Sequence, residues 1–345
     1  MILLKIFLFP FSLLFAFYVR VRHWLYKIGY YTPYKYEKPV IGIGNLSLGG
    51  SGKTPMTELV LEVLKNSKNA VLSRGYGRKT KGFRYVEQTD NYQLCGDEPL
   101  QIKRKFPKAT VAVSEDRNFG INVLKYNHDI FILDDCLQHL KIEPGLKILL
   151  TTYSKPFSED FLFPFGTLRD VKSAKKRADV VVVTKTPEIF SPLERKRLAE
   201  NLDLAEEQKL FFAFTKYGSL KNFSGQTYSL DSKNTQAISF AGIANHQGFV
   251  IHCTDICTHK NHLGFKDHHD YSLGDIQKVI TEWKKLTKKD KIIITTEKDA
   301  VKLQNEKFSN LLEGIPIYYQ EIKMQMHKED EKAFEELIIN YARPN

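Results

Sequence analysis

The 345-residue sequence is poor in cysteine and has neither an internal repeat nor a low-complexity tract. The cysteines are too few and too scattered for a disulfide scaffold, which favours a reducing compartment. Two of them lie near His259 and His262, but the paired C-x-x-C elements typical of zinc sites are lacking. We therefore favour loop thiols with incidental histidines over a zinc cluster. The four cysteines are Cys95, Cys136, Cys253 and Cys257.

The sequence also lacks an apolar run long enough to cross a bilayer. Its apolar N-terminal part, Ile6 to Val19, has about 14 residues, or roughly 21 Å as a helix, whereas a spanning helix needs about 20 residues. No small-residue signal-peptide cleavage site follows. We predict that residues 1–31 form a helix at a membrane surface; the alternative is a helix packed on the protein's own core. The flanking residues typical of an interfacial anchor are Lys5, Arg20, Arg22, Trp24, Tyr26, Lys27 and Tyr30.

Acidic residues are in deficit, since 51 Lys and Arg face 40 Asp and Glu, a formal net charge of +11. This charge suits an anionic partner such as nucleic acid, an acidic membrane surface or a phosphorylated substrate. The basic residues are dispersed and form no recognised nucleic-acid-binding motif, so nucleic acid is not expected as a partner.

The stretch from Val40 to Leu64 organises the chain. An apolar run typical of a buried strand leads into a glycine-rich turn and then into a helix with apolar residues on one face. Glycines let backbone N–H groups approach an anion, and the helix N-terminus adds unpaired donors. The turn and helix start are Gly49, Gly50, Ser51, Gly52, Lys53 and Thr54. In a P-loop, Lys53 reaches the β- and γ-phosphates and the Thr54 hydroxyl ligates magnesium.

The match to the usual P-loop pattern is incomplete, because Ser47 stands where its first glycine falls. A second sequence motif nevertheless supports the P-loop interpretation. The apolar run His128–Leu133 ends in Asp134 and Asp135, which is the form of a strand whose aspartate holds magnesium. A later strand ends at Thr184–Pro187, where guanine-binding proteins carry an aspartate, so guanine specificity is not expected.

Alternation of strands and helices predicts an α/β fold with a doubly wound, mostly parallel sheet. We expect a P-loop domain at residues 32–210 and a smaller α/β domain at 236–345. Residues 211–235 are predicted to be the hinge, because turn residues break the rhythm into short segments near Leu210–Leu230.

Local patterns leave other polar residues open. Asp97 and Glu98 open a helix, where acids commonly act as caps. Arg74 follows a strand, so it is either a phosphate contact or a solvated arginine. Thr296–Ala300 joins a strand to a helix and favours capping, and the His268–His269 pair fits either a solvated loop or a site.

The motifs together resemble the tetraacyldisaccharide 4′-kinase family, in order and over nearly the whole chain. The matching stretches are GIGNLSLGGSGKTP (42–55), SRGYGR (73–78), GDEP (96–99), LDDCLQH (133–139), LFPFGTLRD (162–170), FAGIANHQGF (240–249), DHHDY (267–271) and TEKDAVKL (296–303). The family's loop also departs from the common P-loop pattern at Ser47. The sequence departs from the family at Cys136, Leu137 and Phe165, and at Asp170 the family has glutamate, which leaves a metal or substrate role for Asp170 in doubt.

The resemblance implies transfer of the γ-phosphoryl group of ATP to the 4′-hydroxyl of a tetraacylated glucosamine disaccharide 1-phosphate. It implies Mg²⁺ as cofactor and a place on the cytoplasmic face of the bacterial inner membrane. No obligate protein partner is inferred. The alternative is a P-loop ATPase or GTPase that acts as a switch or as a metal-delivery chaperone, but it explains neither the N-terminus nor the DHHDY stretch.

The resemblance also assigns residue roles. Lys53 and the turn bind the triphosphate, while Thr54 and Asp134, with Asp135, hold magnesium. Asp97 takes the proton of the attacking hydroxyl with help from His268. Further phosphate or substrate contacts are expected from Arg74, Arg117, His139 and Arg169.

Overall fold

The computed structural model describes the backbone of residues 2–343 and the side chains of residues 7–343. The helices are α1 Ile2–Lys27, α2 Lys53–Val63, α3 Tyr92–Cys95, α4 Asp97–Lys105, α5 Arg117–Leu124, α6 Pro192–Leu202, α7 Gln247–Ile256, α8 Leu273–Lys284, α9 Glu297–Leu303, α10 Ser309–Leu312 and α11 Lys328–Ala342. The strands are β1 Val40–Asn45, β2 Asn69–Ser73, β3 Arg84–Tyr85, β4 Thr110–Val113, β5 Ile130–Leu133, β6 Leu146–Thr152, β7 Val180–Thr186, β8 Lys209–Lys221, β9 Gln236–Ala241, β10 Thr258–Gly264, β11 Lys291–Thr296 and β12 Ile317–Met326.

The strands form one 12-stranded sheet in the order β10-β9-β11-β12-β8-β7-β6-β1-β5-β2-β4-β3. Neighbouring strands of the sheet pair in parallel, except that β8 pairs antiparallel with β12 and β3 pairs antiparallel with β4. The predicted α/β class with a mostly parallel sheet is therefore confirmed. Parallel strands end at a common edge, so the loops after β1, β5 and β7 lie together.

The first part of the stretch expected to be broken into short hinge segments is instead one long strand, whereas turns follow it up to residue 235. β8 has 13 residues and pairs with β7 on one side and with β12 on the other. The turn residue Gly218 lies within it, beside the register shift between Gln320 and Ile322 of β12. Here strand pairing overrides local turn propensity. The division into two domains remains a prediction.

The C-terminal helix returns to the first half of the chain. Phe334 and Ile338 of α11 are fully buried in the same core as Ile41 and Val60. The Tyr341 hydroxyl donates to the carbonyl oxygen of Val40 at 3.0 Å. The last helix thus stabilises β1 and α2, although sequence order places it in the second half.

Helix α1 packs along one side and exposes the other. Ala16 and Val19 are buried, and the Ser12 hydroxyl donates to the carbonyl oxygen of Leu162 at 3.1 Å. No helix in the described part of the chain combines the length and apolarity needed to cross a membrane. The Lys5 side chain lies outside the described residues. The exposed apolar residues of the helix include Phe7, Phe9, Phe11, Leu13, Leu14, Phe17, Tyr18 and Trp24.

Asp170 anchors α1 to the sheet layer. Its fully buried carboxylate lies 3.2 Å from Nε2 of His23 and 2.6 Å from Nη2 of Arg177. Burial would raise the pKa of Asp170, but the contacts with His23 and Arg177 lower it below the ordinary value. These contacts give Asp170 a structural role.

The expected loop thiols are buried in and beside a helix. Cys253 lies within α7 and Cys257 ends it, and both side chains are buried. His259 and His262 each bond to Ser239 at 2.8 Å. Apolar packing of α7 accounts for these thiols, and their predicted loop position is wrong.

Candidate active site

The glycine-rich turn between β1 and α2 has the backbone shape of an anion cradle. Gly49 and Gly52 have φ values of 101° and 90°, which an L side chain rarely adopts. Gly52 precedes α2 and gives it no side-chain cap, so N–H groups at the helix start remain free. Free N–H groups at a helix start favour a bound anion.

Neighbouring strands hold this turn in place. Leu48 N–H donates to the carbonyl oxygen of Thr167 at 2.7 Å, and the Thr184 hydroxyl donates to that of Ser51 at 2.8 Å. Ser47 pairs with Leu168 in an isolated antiparallel bridge. The turn is therefore fixed by backbone contacts on both sides and needs no glycine at position 47.

One oxygen of a buried carboxylate beside the turn has no hydrogen-bond partner among the described residues. Asp134 follows β5 and is 1% exposed, and its Oδ1 has no hydrogen bond among the described residues. Burial, with the charge of Glu98, raises the pKa of Asp134. A buried carboxylate oxygen without a hydrogen bond favours a cation. Thr54, also buried, lies in the first turn of the helix that the glycine-rich turn enters.

These two oxygens fit Mg²⁺, which typically takes one or two protein ligands and completes its shell with water and phosphates. Within residues 2–343 no cluster of three or more His, Cys, Asp or Glu side chains could hold a metal. A magnesium ion that shares nucleotide phosphates does not require such a cluster.

Asp135, the other expected magnesium ligand, is engaged by cations instead. Arg169 donates from both terminal nitrogens to its carboxylate, from Nη1 at 3.0 Å. Nζ of Lys53 lies 3.9 Å from Oδ1. Burial would raise the pKa of Asp135, but the bonds from Arg169 and the charge of Lys53 lower it. The carboxylate of Asp135 therefore positions Lys53 and Arg169 and is not available to ligate a metal alone.

Asp97 and His268 meet, although they are far apart in sequence. Nδ1 of His268 lies 3.1 and 3.0 Å from the two carboxylate oxygens of Asp97. Asp97 begins α4 and is buried, and its Oδ1 also accepts from the N–H of Glu98 at 3.0 Å. His268 has a φ of 56°, a strained conformation for a non-glycine residue. The neighbouring His269 instead contacts Asp275 at 3.1 Å.

Two lysines of α9 complete this dyad and were not identified from the sequence. Nζ of Lys302 lies 3.4 Å from Asp97, and Nζ of Lys298 lies 3.1 Å from Nε2 of His268. Thr296 caps α9 as expected, accepting from the N–H of Asp299 at 3.1 Å. The available signal was the spacing of Lys298 and Lys302, which puts both on one face of a helix.

Charge sets the protonation of the dyad. Burial would raise the pKa of Asp97, but the His268 bond and the charges of Lys298 and Lys302 lower it below the ordinary range. Burial lowers the pKa of His268, but the hydrogen bond and charge of Asp97 raise it above the ordinary value. The charge of Lys298 acts against protonation. An ammonium cannot donate to a protonated nitrogen, so the Lys298 contact favours a neutral imidazole with its proton on Nδ1.

The remaining expected contacts lie near the same edge. Arg74 is exposed, whereas Arg117 is buried and donates to the carbonyl oxygen of Ser114 at 3.1 Å. Burial lowers the pKa of His139 to about 4, aided by the charge of Arg117. Nε2 of His139 has no hydrogen-bond partner in the described part of the chain. Arg74 is therefore the more available cation for a ligand.

Neighbouring charges and loops link the surroundings of the turn with those of the dyad. The charge of Glu98, next to Asp97, acts on Asp134. A methyl group added at Gly49 would lie 3.6 Å from Cβ of Ala244, so the loop after β9 covers the turn. An anion cradle beside a basic and acidic pair, in an α/β fold, defines the phosphotransferase class of enzyme.

The comparisons identify the family within that class. The family model described as tetraacyldisaccharide-1-P 4′-kinase matches residues 4–343. The chain belongs to the tetraacyldisaccharide 4′-kinase family, and it is a kinase.

Known relatives are similar along their full length. A tetraacyldisaccharide 4′-kinase of Phocaeicola vulgatus is 36% identical over 98% of this chain and 95% of its own. One of Parabacteroides distasonis is 38% identical over 96% of this chain and 93% of its own. The crystal structure of LpxK from Aquifex aeolicus in complex with ATP superposes with a TM-score of 0.76 at 28% identity, covering 99% of this chain and 100% of that one.

Proposed function

We propose that this kinase transfers the γ-phosphoryl group of ATP to the 4′-hydroxyl of a tetraacylated glucosamine disaccharide 1-phosphate. The product is the bis-phosphorylated lipid A precursor. The observation that carries the proposal is the contact between Asp97 and His268 at the same sheet edge as the glycine-rich turn. This arrangement supplies a proton acceptor beside a phosphate site, and family membership supplies the substrate class.

The turn binds the triphosphate in this proposal. Backbone N–H groups from Gly49 to Thr54 surround the phosphates, and Lys53 neutralises charge on the transferred group. Asp135 and Arg169 hold Lys53 in position through the ion pairs between them. Phosphoryl transfer proceeds mainly by positioning and charge stabilisation, so this fixed geometry is the main contribution of the protein.

Thr54 and Asp134 would hold Mg²⁺, because both oxygens are buried beside the turn and Oδ1 of Asp134 has no partner in the described chain. When bound, the metal neutralises phosphate charge. Asp135 contributes through its charge and through Lys53.

Asp97 receives the hydroxyl hydrogen of the acceptor sugar. The loose transition state of phosphoryl transfer demands little basicity early on, which suits a carboxylate of lowered pKa. The Nδ1–H group of His268 donates a hydrogen bond to Asp97 and fixes the orientation of the carboxylate. The ammonium groups of Lys298 and Lys302 balance the negative charge of Asp97. The Tyr76 ring packs over His268, with their ring centroids 5.0 Å apart.

The lipid substrate requires docking at its membrane. The exposed apolar side of α1, flanked by Arg20 and Lys27, suits the cytoplasmic surface of the bacterial inner membrane. Phe161 and Phe163 are also exposed, in the loop that Ser12 contacts. That loop continues to Thr167, whose carbonyl oxygen binds the turn at Leu48. Arg74, with Arg117 and His139 nearby, is placed for a substrate phosphate.

The direct test is incubation of the purified protein with ATP, Mg²⁺ and the 1-phosphorylated lipid disaccharide, followed by mass analysis of the lipid. A mass gain of one phosphoryl group is expected. In Lys53→Met the gain should nearly disappear, while Lys65→Met, a surface lysine of the same region, should behave as the parent. Hydrolysis of ATP without lipid phosphorylation would favour the switch-type NTPase instead.

A further inference from the structure

Lys185, at the end of β7, adopts a backbone conformation that a lysine rarely takes. Its φ is 57°, in the left-handed region that favours glycine. Three other non-glycine residues of the described chain have positive φ: Asp135, Asp203 and His268. Asp135 and His268 belong to the candidate site, and Asp203 ends α6 in a common helix-capping conformation. Strain of this kind concentrates where function maintains it.

A register shift in the sheet directs Lys185 toward the glycine-rich turn. Pairing of β7 with β8 is irregular between Val183 and Thr186, and such bulges re-aim side chains at sheet edges. Thr184 bonds to the turn at Ser51. A methyl group added at Gly50 would lie 3.8 Å from Nζ of Lys185. The ammonium group therefore lies beside Gly50 of the turn.

This ammonium group differs from the other lysines of the site in having no close counter-ion. Lys53 approaches Asp135, and Lys298 contacts several carboxylates. Within residues 7–343 Lys185 makes no hydrogen bond or ion pair. Its side chain is exposed, yet the surrounding protein lowers the pKa of Lys185, against the charge of Asp267. A cation in this position is stabilised by an anion that binds in the turn.

We propose that Lys185 is a second phosphate-binding cation, which contacts the triphosphate of the nucleotide held by the glycine-rich turn. This inference rests on the proposed function and adds a residue to it. The positive φ and the bulge are the structural means that bring the ammonium group to the turn. Glycine would be more favourable at this position for the fold, but it would remove the cation.

The test measures ATP affinity by titration calorimetry, without lipid, in Lys185→Met, Lys185→Arg and Lys185→Gly. Lys185→Met should weaken ATP binding about 10- to 100-fold, as expected for a lost hydrogen bond to a charged group. Adenosine, which has no phosphate, should bind the parent and this variant equally. Lys185→Arg should recover part of the loss.

Lys185→Gly separates phosphate binding from a structural role. It should weaken ATP binding as the methionine variant does, while its Tm rises because the strain is relieved. Asp203→Gly is the matched control: its Tm should also rise, with ATP affinity unchanged. A lower Tm in Lys185→Gly would show a structural role and overturn the proposal.

The remaining outcomes are distinguishable. Unchanged ATP affinity in Lys185→Met, with loss in Lys53→Met, would overturn the role of Lys185 but keep the site. Unchanged affinity in both variants would overturn the proposed site itself. An increased KM for the lipid at parental ATP affinity would assign Lys185 to the 1-phosphate of the lipid instead, against the proposal.

Discussion

At the scale of single residues, the site is a chain of charges in which most groups have a partner. Asp97 contacts His268 and Lys302, Lys298 contacts Glu98, and Asp135 contacts Arg169. Asp134 lacks such a partner for its Oδ1 within the described chain. Where most polar groups of a site are paired, the few that lack a protein partner indicate where ligands bind.

Asp97→Asn should lower turnover by about 10²- to 10⁴-fold, the range for loss of a general base. The amide keeps the size of the side chain, so ATP affinity and Tm should remain close to parental. Steady-state kinetics with the lipid substrate and calorimetric ATP titration check this. If ATP binding or folding failed instead, Asp97 would be a structural cap of α4.

Lys298→Met should move the acid limb of the pH–rate profile to higher pH. Lys298 opposes protonation of His268, so its removal lets His268 gain a proton at higher pH. We propose that the neutral imidazole, which the Lys298 contact favours, is the active form, so activity is then lost earlier as the pH falls. The readout is kcat against pH, together with the NMR titration of His268.

Two controls accompany this variant. Lys298→Arg keeps the charge and should leave the acid limb nearly in place. Lys307→Met removes a cation whose Nζ lies 3.4 Å from Oδ1 of Asp270. Asp270 lies in the same loop as His268. A similar shift of the limb in Lys307→Met would show a general charge effect and contradict the specific role of Lys298.

At the scale of elements, the prediction from sequence was best where periodicity decides structure. The apolar spacing of Met56 and Val60 and the run Ile130–Leu133 lead directly to α2 and β5, both well buried. These elements carry the turn and Asp134. Their position in the fold follows from local residues alone, which is why half of the site could be located.

Long-range contacts account for what was missed. Gly218 and Ser219 have the composition of a turn, yet β12 pairs with the residues on both sides of them, Tyr217 and Leu220, and keeps the strand intact. In the sequence Lys298 has the features of an ordinary helix residue. Its contact with His268 arises only because α9 packs against α4. Asp170 could not be assigned from its motif, because its partner His23 comes from the distant N-terminal helix. In all three cases the interacting residues are far apart in sequence, so local sequence patterns do not predict the contact.

The anchoring of α1 can be tested at Asp170. Asp170→Ala leaves Arg177 without its buried partner and should lower the free energy of unfolding by about 3–5 kcal/mol. Chemical denaturation at neutral pH measures this loss. Asp170→Glu, which restores the residue typical of the family, should lose much less. Equal stability of the alanine variant and the parent would contradict the anchoring role.

At the scale of the whole molecule, the positive charge and the apolar side of α1 act together. The net charge of +11 favours anionic surfaces, and α1 places exposed Phe17 and Leu14 on the outside. Arg20 follows on the same helix. Apolar burial and electrostatic attraction then add in membrane binding.

Phe17→Glu should reduce binding to vesicles that contain anionic lipid, because a carboxylate replaces an exposed ring on the docking side. Phe17 is 68% exposed, so the Tm should change little. Vesicle co-sedimentation is the measurement. Tyr126→Glu, an exposed aromatic residue away from α1, is the control and should bind as the parent does. Equal binding of both variants would contradict docking through α1.

The contact between Tyr341 and Val40 has a consequence for synthesis of the protein. The strand that leads into the glycine-rich turn is completed by a helix that is synthesised much later, since α11 supplies Phe334 and Ile338 to its core. A nascent chain therefore exposes part of that apolar surface until α11 has been made. Nucleotide affinity should accordingly emerge only once α11 has left the ribosome, and a truncation before Lys328 would leave a chain without it.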